Sequence, residues 1–274
     1  MLRCGATWKP SEIKRVIDTF PSSTRVVQVV TDDGIGFLKG MGNPQGNQSL
    51  ACELVGSELA AWFGLDTLEF SLIQVSAEDI LPLHGEGRNV EPGLAFISKY
   101  IEGGTWDGGD VYLSKMILPE NVSKLVIFDT WIMNADRYPP EDSFIPIPAN
   151  RDNILFECQK RNKFKLIAYD HTHCFVEGDI WEELGDPKLI CDERIYGEFP
   201  EFSPYIKREA IVSALNKLRQ LDRKTVQRIV TTVPREWGIT DRLVNEWVDL
   251  IYKRSIFVAD TIAAKLLTQG ELGI

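Results

Sequence analysis

The chain has 274 residues, with 40 Asp and Glu against 30 Lys and Arg, so its net charge is −10. This acidic balance argues against direct nucleic-acid binding and against docking on an anionic membrane, although one local positive site could still hold a small phosphate ligand. The apolar fraction of 44% and the length predict a soluble chain of about two domains or lobes.

The cysteine pattern and the N-terminus both indicate a reducing compartment. The cysteines are odd in number, and no pair has CxxC spacing, which is typical of buried thiols and not of a disulfide framework. The first residues lack an apolar stretch of signal-peptide length, and no window approaches the ~18 apolar residues of a membrane span. We therefore expect a cytoplasmic protein.

The first predicted elements are a short helix and a hairpin. Residues 11–19 read as a short helix, with Pro10 before them and Pro21 after them. Two β-rich runs at 25–30 and 35–40 flank an Asp-Gly pair at 33–34, which is a strong hairpin signal.

A helix is predicted next, over residues 49–63. Asn47 or Ser49 is its expected cap, and Gly64 is its expected stop. A strand is expected next at 68–75, then a loop at 82–93 and a further strand at 94–101.

The second half of the chain is predicted to be mainly helical. A Gly-rich connector at 103–110 is the best lobe boundary, and the apolar run 121–134 predicts a buried helix. After a loop at 137–152, a second hairpin is expected from 153–158 and 164–170. Further helices are expected at 205–219, 222–231 and 239–267. The pattern predicts an α+β protein with a β-rich N-lobe over 1–101, a helical C-lobe over 102–274, and a cleft between them.

Lys39, at the end of an apolar strand, is the first candidate for chemistry. A strand lysine that contacts nucleotide phosphates needs a carboxylate from the following helix to orient it. That helix offers Glu53 and Glu58, which lie about 140° apart around its axis and cannot both face the lysine. Periodicity alone leaves the choice between them open.

A second group of candidates follows the buried helix. Asp136, in the run Asn-Ala-Asp-Arg at 134–137, could accept a proton from a substrate hydroxyl. Asn153 opens one strand of the predicted hairpin and Asp170 closes the other, so an amide oxygen and a carboxylate converge there. This pair suits Mg²⁺, and the ordered set with Lys39 upstream is what a phosphotransferase needs.

A zinc site is the competing interpretation of the segment after Asp170. His171, His173 and Cys174 all carry groups that ligate zinc. The sequence holds no second Cys/His cluster to complete four ligands, so zinc is the weaker interpretation.

Four segments within roughly residues 25–180 resemble the HipA-like kinases, most closely the compact stand-alone branch of that family. These segments are DGIGFLKGMGNPQGNQSLACELVGSELAAWFGL, VIFDTWIMNADR, NILF and LIAYDHTHCF. The resemblance implies a two-lobed, protein-kinase-like fold that is distantly similar to phosphatidylinositol kinases. It also implies ATP and Mg²⁺ as cofactors.

The resemblance assigns a role to each candidate. Lys39 would bind ATP phosphates, with Glu53 as its helix partner. Asp136 would be the catalytic residue, with Asn134 and Arg137 beside it. The metal ligands would be Asn153 and Asp170. The linker Ser98-Lys99-Tyr100-Ile101 would offer backbone groups to adenine, which makes Lys99 and Tyr100 candidate nucleotide contacts.

The chain departs from the family pattern in one place. Sixteen residues separate Asp136 from Asn153, where the family usually has only a few. This 138–152 insertion could be a substrate-side loop, or it could make Asn150 the metal ligand. We favour Asn153 because it adjoins the strand ILF.

The sequence therefore predicts an ATP- and Mg²⁺-dependent kinase that phosphorylates the hydroxyl of a Ser or Thr in a protein. A catalytically silent kinase-like binding module and a small-molecule kinase are the alternatives. The acceptor is not identifiable from the sequence.

Overall fold

Strands dominate the first part of the chain in the computed structural model, which describes residues 8–138 and 150–272. They form an antiparallel sheet in the order β1-β2-β3-β5-β4. The predicted hairpin is confirmed, because Val27 pairs with Leu38 and Thr31 with Gly34. The strands are β1 (Ile13–Thr19), β2 (Val27–Thr31), β3 (Gly34–Lys39), β4 (Phe70–Val75) and β5 (Gly93–Lys99).

The predicted helix at 11–19 is wrong, since these residues form β1 at the edge of the sheet. β1 pairs antiparallel with β2, and its register shifts between Ile13 and Arg15 and again between Val16 and Asp18. Such bulges break the strict alternation of a strand. The partly buried residues consequently recur every third position, a spacing that resembles a helical period.

Helix α1 (Asn47–Phe63) ends as predicted at Gly64, which adopts a left-handed φ of 87°. Its start differs from the prediction, because the cap is Gly46 and both Asn47 and Ser49 lie inside the helix. Thirteen of its 17 residues are buried, so the helix is enclosed on nearly all sides.

The second predicted hairpin is also confirmed, as β7 (Leu155–Gln159) paired with β8 (Lys163–Ile167). The Gly-rich segment 103–110 is more than a connector, because it contains β6 (Gly103–Thr105), which pairs with β7. The helices of this part of the chain are α2 (Asp110–Ser114), α3 (Asn121–Ile132), α4 (Ile180–Glu183), α5 (Arg208–Arg219), α6 (Arg223–Val230) and α7 (Asp241–Leu272).

Two apolar clusters hold the chain together. The larger one joins α1 to the C-terminal helices, and α1 contacts α3, α5 and α6 directly. The smaller one covers the outer face of the N-terminal sheet. The expected α+β organisation, with strands first and helices last, is confirmed. Among the described residues no helix is both long and apolar enough to cross a membrane.

Candidate active site

A cavity of about 400 Å³ lies between the inner face of the N-terminal sheet, α1 and the β7–β8 hairpin. Its polar end carries Lys39, Glu53, Asn153 and Asp170. The rest of its wall is mainly apolar or aromatic, lined by Phe20, Val26, Phe37, Leu68, Phe70, Phe96, Leu155, Ala168 and Tyr169. A cavity with an apolar wall and a few convergent polar groups is the usual form of a small-molecule site.

Strand alternation places Lys39 in this cavity. Successive side chains of a strand point to opposite faces of the sheet. On β3, Phe37 and Lys39 therefore face the cavity, while Leu38 belongs to the apolar cluster on the outer face. On β5, Phe96 faces the cavity and Ile97 the outer cluster.

The structure does not bring Lys99 or Tyr100 into the cavity wall. The backbone N–H of Lys99 donates to Glu69 O at 2.7 Å, and that of Tyr100 donates to Ile35 O at 2.9 Å. The Lys99 ammonium pairs with Glu69 at 2.7 Å. Alternation along β5 turns Ser98 towards the cavity and Lys99 away from it. Tyr100 lies just beyond β5, where its ring packs against that of Phe37 with centroids 6.0 Å apart. The backbone N–H groups of Lys99 and Tyr100 are thus bonded within the protein, and the adenine contacts expected at these two positions stay a prediction.

Lys39 sits at the centre of a cluster of oxygens. Its Nζ donates to Glu53 Oε2 at 2.7 Å, to Asp170 Oδ1 at 2.8 Å and to Thr172 Oγ1 at 2.9 Å. The structure thus places Glu53 against the lysine. Glu58 is fully buried in the same helix, outside the cavity wall.

Charge pairing fixes the ionisation of this cluster. Burial by itself would disfavour the charged forms of Lys39 and Asp170. Their attraction outweighs burial, so the pKa of Asp170 is well below its usual range and the pKa of Lys39 is above its usual range. Both groups are therefore charged near neutral pH.

The loop after β8 approaches α1 closely because of a glycine. A Cβ added at Gly56 would lie 2.4 Å from the Cβ of His171, so only glycine fits this contact. The approach lets the His171 backbone N–H donate to Glu53 Oε2 at 3.0 Å. Asp170 itself adopts a left-handed φ of 56° just before this contact.

Asp136 is held by Asn153. The Asn153 amide donates to Asp136 Oδ2 at 2.9 Å, and Asn150 Nδ2 donates to Asn153 Oδ1 at 3.1 Å. Burial raises the pKa of Asp136, and the nearby Asp170 carboxylate raises it further. Asn153 lines the cavity. Asn150 does not line the cavity and is bonded to Asn153 behind it.

Arg137 and Asn134, which we predicted beside the catalytic residue, are buried and face away from the cavity. The Arg137 side chain is 0% exposed and pairs with Asp129 at 2.7 Å. It also donates to the carbonyls of Asn153 and Tyr169. Asn134 is buried and donates weakly to Asp129 at 3.4 Å. Neither residue lines the cavity. Arg137 instead ties the segments that carry Asn153 and Tyr169 to α3.

The zinc interpretation fails on geometry. The fully buried His171 packs edge-on against Phe128 with ring centroids 5.5 Å apart, and burial holds its pKa well below the usual value. His173 points elsewhere, with Nε2 3.4 Å from Ser23 Oγ. In the part of the chain that the structure describes, no group of three or more His, Cys, Asp or Glu side chains could hold a metal ion.

The residues at the polar end nevertheless fit Mg²⁺. Asn153 and Asp170 line the same cavity and offer an amide oxygen and an ionised carboxylate. Mg²⁺ in phosphate-binding sites commonly takes one or two such ligands from the protein and the others from phosphates and water.

Most of the 138–152 insertion, residues 139–149, lies outside the described residues.

Two features of the site were absent from the sequence-based prediction. One is Thr172, whose hydroxyl contacts Lys39; its position two residues after Asp170 is the only signal the sequence gives. The other is the aromatic wall of Phe37, Phe70 and Phe96, which in sequence looks like ordinary sheet core.

Comparison with known proteins places these observations in a family context. A family model described as HipA-like kinase matches residues 22–255, most of the chain. The structure is similar to the crystal structure of a Helicobacter pylori proinflammatory kinase, CtkA, with a TM-score of 0.60 and 11% identity. The match covers 94% of this chain and 96% of that one, so the two share the two-lobed kinase fold. A search of curated proteins finds no match.

Proposed function

This chain belongs to the HipA-like kinase family, and from that premise we propose that it transfers the γ-phosphoryl group of ATP to a hydroxyl in a Mg²⁺-dependent reaction. The observation that carries the proposal is the meeting of Lys39, Glu53 and Asp170 at the polar end of an apolar cavity. A nucleotide has the same division, with a flat apolar base at one end and charged phosphates at the other.

The base would occupy the apolar part of the cavity, between the aromatic side chains of β3, β4 and β5. The phosphates would then reach Lys39, whose charge Glu53 secures at 2.7 Å. In this arrangement the lobe expected over 1–101 would bind the nucleotide, and the lobe expected over 102–274 would supply the catalytic loop and the metal ligands.

Asn153 and Asp170 would hold the Mg²⁺ that accompanies ATP. When bound, the ion neutralises phosphate charge that would otherwise face the Asp170 carboxylate. Asp170 is prepared for this role because its pairing with Lys39 keeps it ionised.

Asp136 would orient the acceptor hydroxyl and take its proton. Asn153 fixes one of its oxygens, Oδ2, at 2.9 Å. Its other oxygen, Oδ1, would accept the hydrogen bond of the acceptor hydroxyl. The raised pKa of Asp136 makes it a stronger proton acceptor than an exposed aspartate. Phosphoryl transfer depends chiefly on positioning and charge stabilisation, so these groups suffice.

We propose a Ser or Thr hydroxyl of a protein as the acceptor. The test is to incubate the purified protein with ATP and Mg²⁺, with and without candidate protein substrates. ADP formation and phosphate gain are followed by chromatography and intact mass. Asp136→Asn should keep ATP binding and lower transfer about 10²–10⁴-fold.

Asp260→Asn is the control, since Asp260 is an exposed carboxylate on α7 that pairs with Arg219 and lies outside the cavity wall. It should transfer phosphate at close to the wild-type rate. ATP binding without transfer to any acceptor would indicate a silent binding module. Transfer to small alcohols alone would indicate a small-molecule kinase. Equal rates in Asp136→Asn and wild type would remove Asp136 from the catalytic role.

A further inference from the structure

Thr172 connects three charged groups of the site through a single hydroxyl. Its side chain is buried, and Oγ1 lies 2.9 Å from Lys39 Nζ, 3.0 Å from Glu53 Oε2 and 3.0 Å from Asp170 Oδ1. A hydroxyl has one proton to donate and two lone pairs that accept. Thr172 therefore accepts from the Lys39 ammonium and donates to one carboxylate at a time, either Glu53 or Asp170.

The position of the hydroxyl is fixed by its surroundings. The preceding residue, His171, is fully buried, and its backbone N–H is bonded to the same Glu53 oxygen at 3.0 Å. Gly56 permits this contact, since any larger residue would collide with His171. Because α1 is embedded in the core with the C-terminal helices, Thr172 is anchored to a rigid element.

We infer that Thr172 is a positioning residue, whose hydroxyl holds the Lys39 ammonium on Glu53 when Asp170 is not paired with it. This inference rests on the proposed function for its catalytic consequence. Asp170 bonds Lys39 at 2.8 Å in the nucleotide-free chain, and a metal ligand must share its carboxylate with the ion. Once that bond is weakened, Glu53 and Thr172 remain to hold Lys39 in place, and Thr172 can donate its proton to Glu53.

The first readout is independent of catalysis. A small amine-acylating reagent is applied to the nucleotide-free protein, and labelling of Lys39 is followed by peptide mass spectrometry. Thr172→Val keeps the shape of the side chain but removes the hydroxyl, so it should speed Lys39 labelling roughly three- to tenfold, as expected for one lost hydrogen bond. Thr172→Ser should restore the wild-type rate.

The comparison is repeated in an Asp170→Ala background. There Thr172→Val should have a larger effect, since only Glu53 would remain to hold Lys39. Labelling of Lys165, which pairs with Asp66 and Glu157 away from the site, reports general loosening of the fold. Thr232→Val is the matched control, because Thr232 is a buried threonine that bonds a helix carbonyl at 2.7 Å.

Two results would overturn the inference: equal Lys39 labelling in wild type and Thr172→Val, or a rise of Lys39 and Lys165 labelling together. In the active enzyme, Thr172→Val should lower kcat roughly three- to tenfold with a smaller change in the KM for ATP, and Thr172→Ser should recover it. An unchanged kcat in an active enzyme contradicts the inference alone. A wild-type protein that transfers no phosphate contradicts the proposed function, and the labelling comparison still decides the role of Thr172.

Discussion

Replacing Arg137 with methionine should destabilise the whole fold. The Arg137–Asp129 pair is 0% exposed on both sides, with the charged atoms 2.7 Å apart. Asp129 Oδ2 is buried without a hydrogen-bond partner among the described residues, so the carboxylate depends on Arg137 for its compensation. Burial already raises the pKa of Asp129, and Arg137 opposes that effect. Breaking one side of such a pair costs about 3–5 kcal/mol.

Arg137→Met would also remove the bonds to the Asn153 carbonyl, at 2.8 and 3.1 Å, and to the Tyr169 carbonyl. The assay is urea unfolding at neutral pH, with the free energy of unfolding extrapolated to water. Arg235→Met is the control, because Arg235 pairs with Asp241 on the surface and should cost less than about 1 kcal/mol.

A second variant isolates the charge. Adding Asp129→Asn to Arg137→Met removes the uncompensated carboxylate and should restore part of the lost stability. If Arg137→Met costs no more than Arg235→Met, or if Asp129→Asn restores nothing, the structural role assigned to Arg137 is wrong.

Three further results are expected. Gly56→Ala should weaken ATP binding and destabilise the fold by about 1–3 kcal/mol, since the added Cβ would lie 2.4 Å from the Cβ of His171. Gly185→Ala is its control and should change neither property, because the added Cβ would meet nothing nearer than 3.8 Å. Asp170→Ala should abolish the gain in ATP affinity that Mg²⁺ provides, and equal gains by calorimetry would place the metal elsewhere. Hydrogen bonds from the Ser11 side chain and backbone lower the pKa of Asp32 to about 2. The ionised Asp32 carboxylate therefore stabilises the fold above about pH 4, and this stabilisation is lost as pH falls through about 2. Asp32→Asn should therefore lower Tm at neutral pH and have little effect near pH 2.

The order of the site residues could be read from the sequence, but one choice among them could not. Lys39 ends β3 and Asp170 lies three residues beyond β8, and both hairpins could be predicted from the sequence, so the positions of these residues at strand ends were predictable. Glu53 and Glu58 could not be separated by periodicity, because α1 is buried on nearly every side and has no polar face to orient it. The deciding contact is with the backbone of His171, which is 118 residues away along the chain.

The wrong helix at 11–19 and the side chains that the structure keeps out of the cavity wall have similar physical causes. Bulges in β1 gave an edge strand the spacing of a helix. Arg137 adjoins Asp136 in sequence, and only the buried partner Asp129 shows that its side chain turns inward. Lys99 and Tyr100 lie at the expected end of β5, but tertiary hydrogen bonds to Glu69 and Ile35 occupy their backbone groups. In each case a tertiary contact decides what local sequence leaves open.

The central claim is that the cavity binds ATP with its phosphates at Lys39. The most direct measurement uses an ATP analogue with an acyl group on its terminal phosphate, which transfers that group to a nearby lysine amine. We predict that mass spectrometry will find the acyl group on Lys39, that ATP with Mg²⁺ will block its transfer, and that Lys39→Arg will abolish it. Labelling that ATP does not suppress, or ATP-sensitive labelling of a different lysine, would contradict the account.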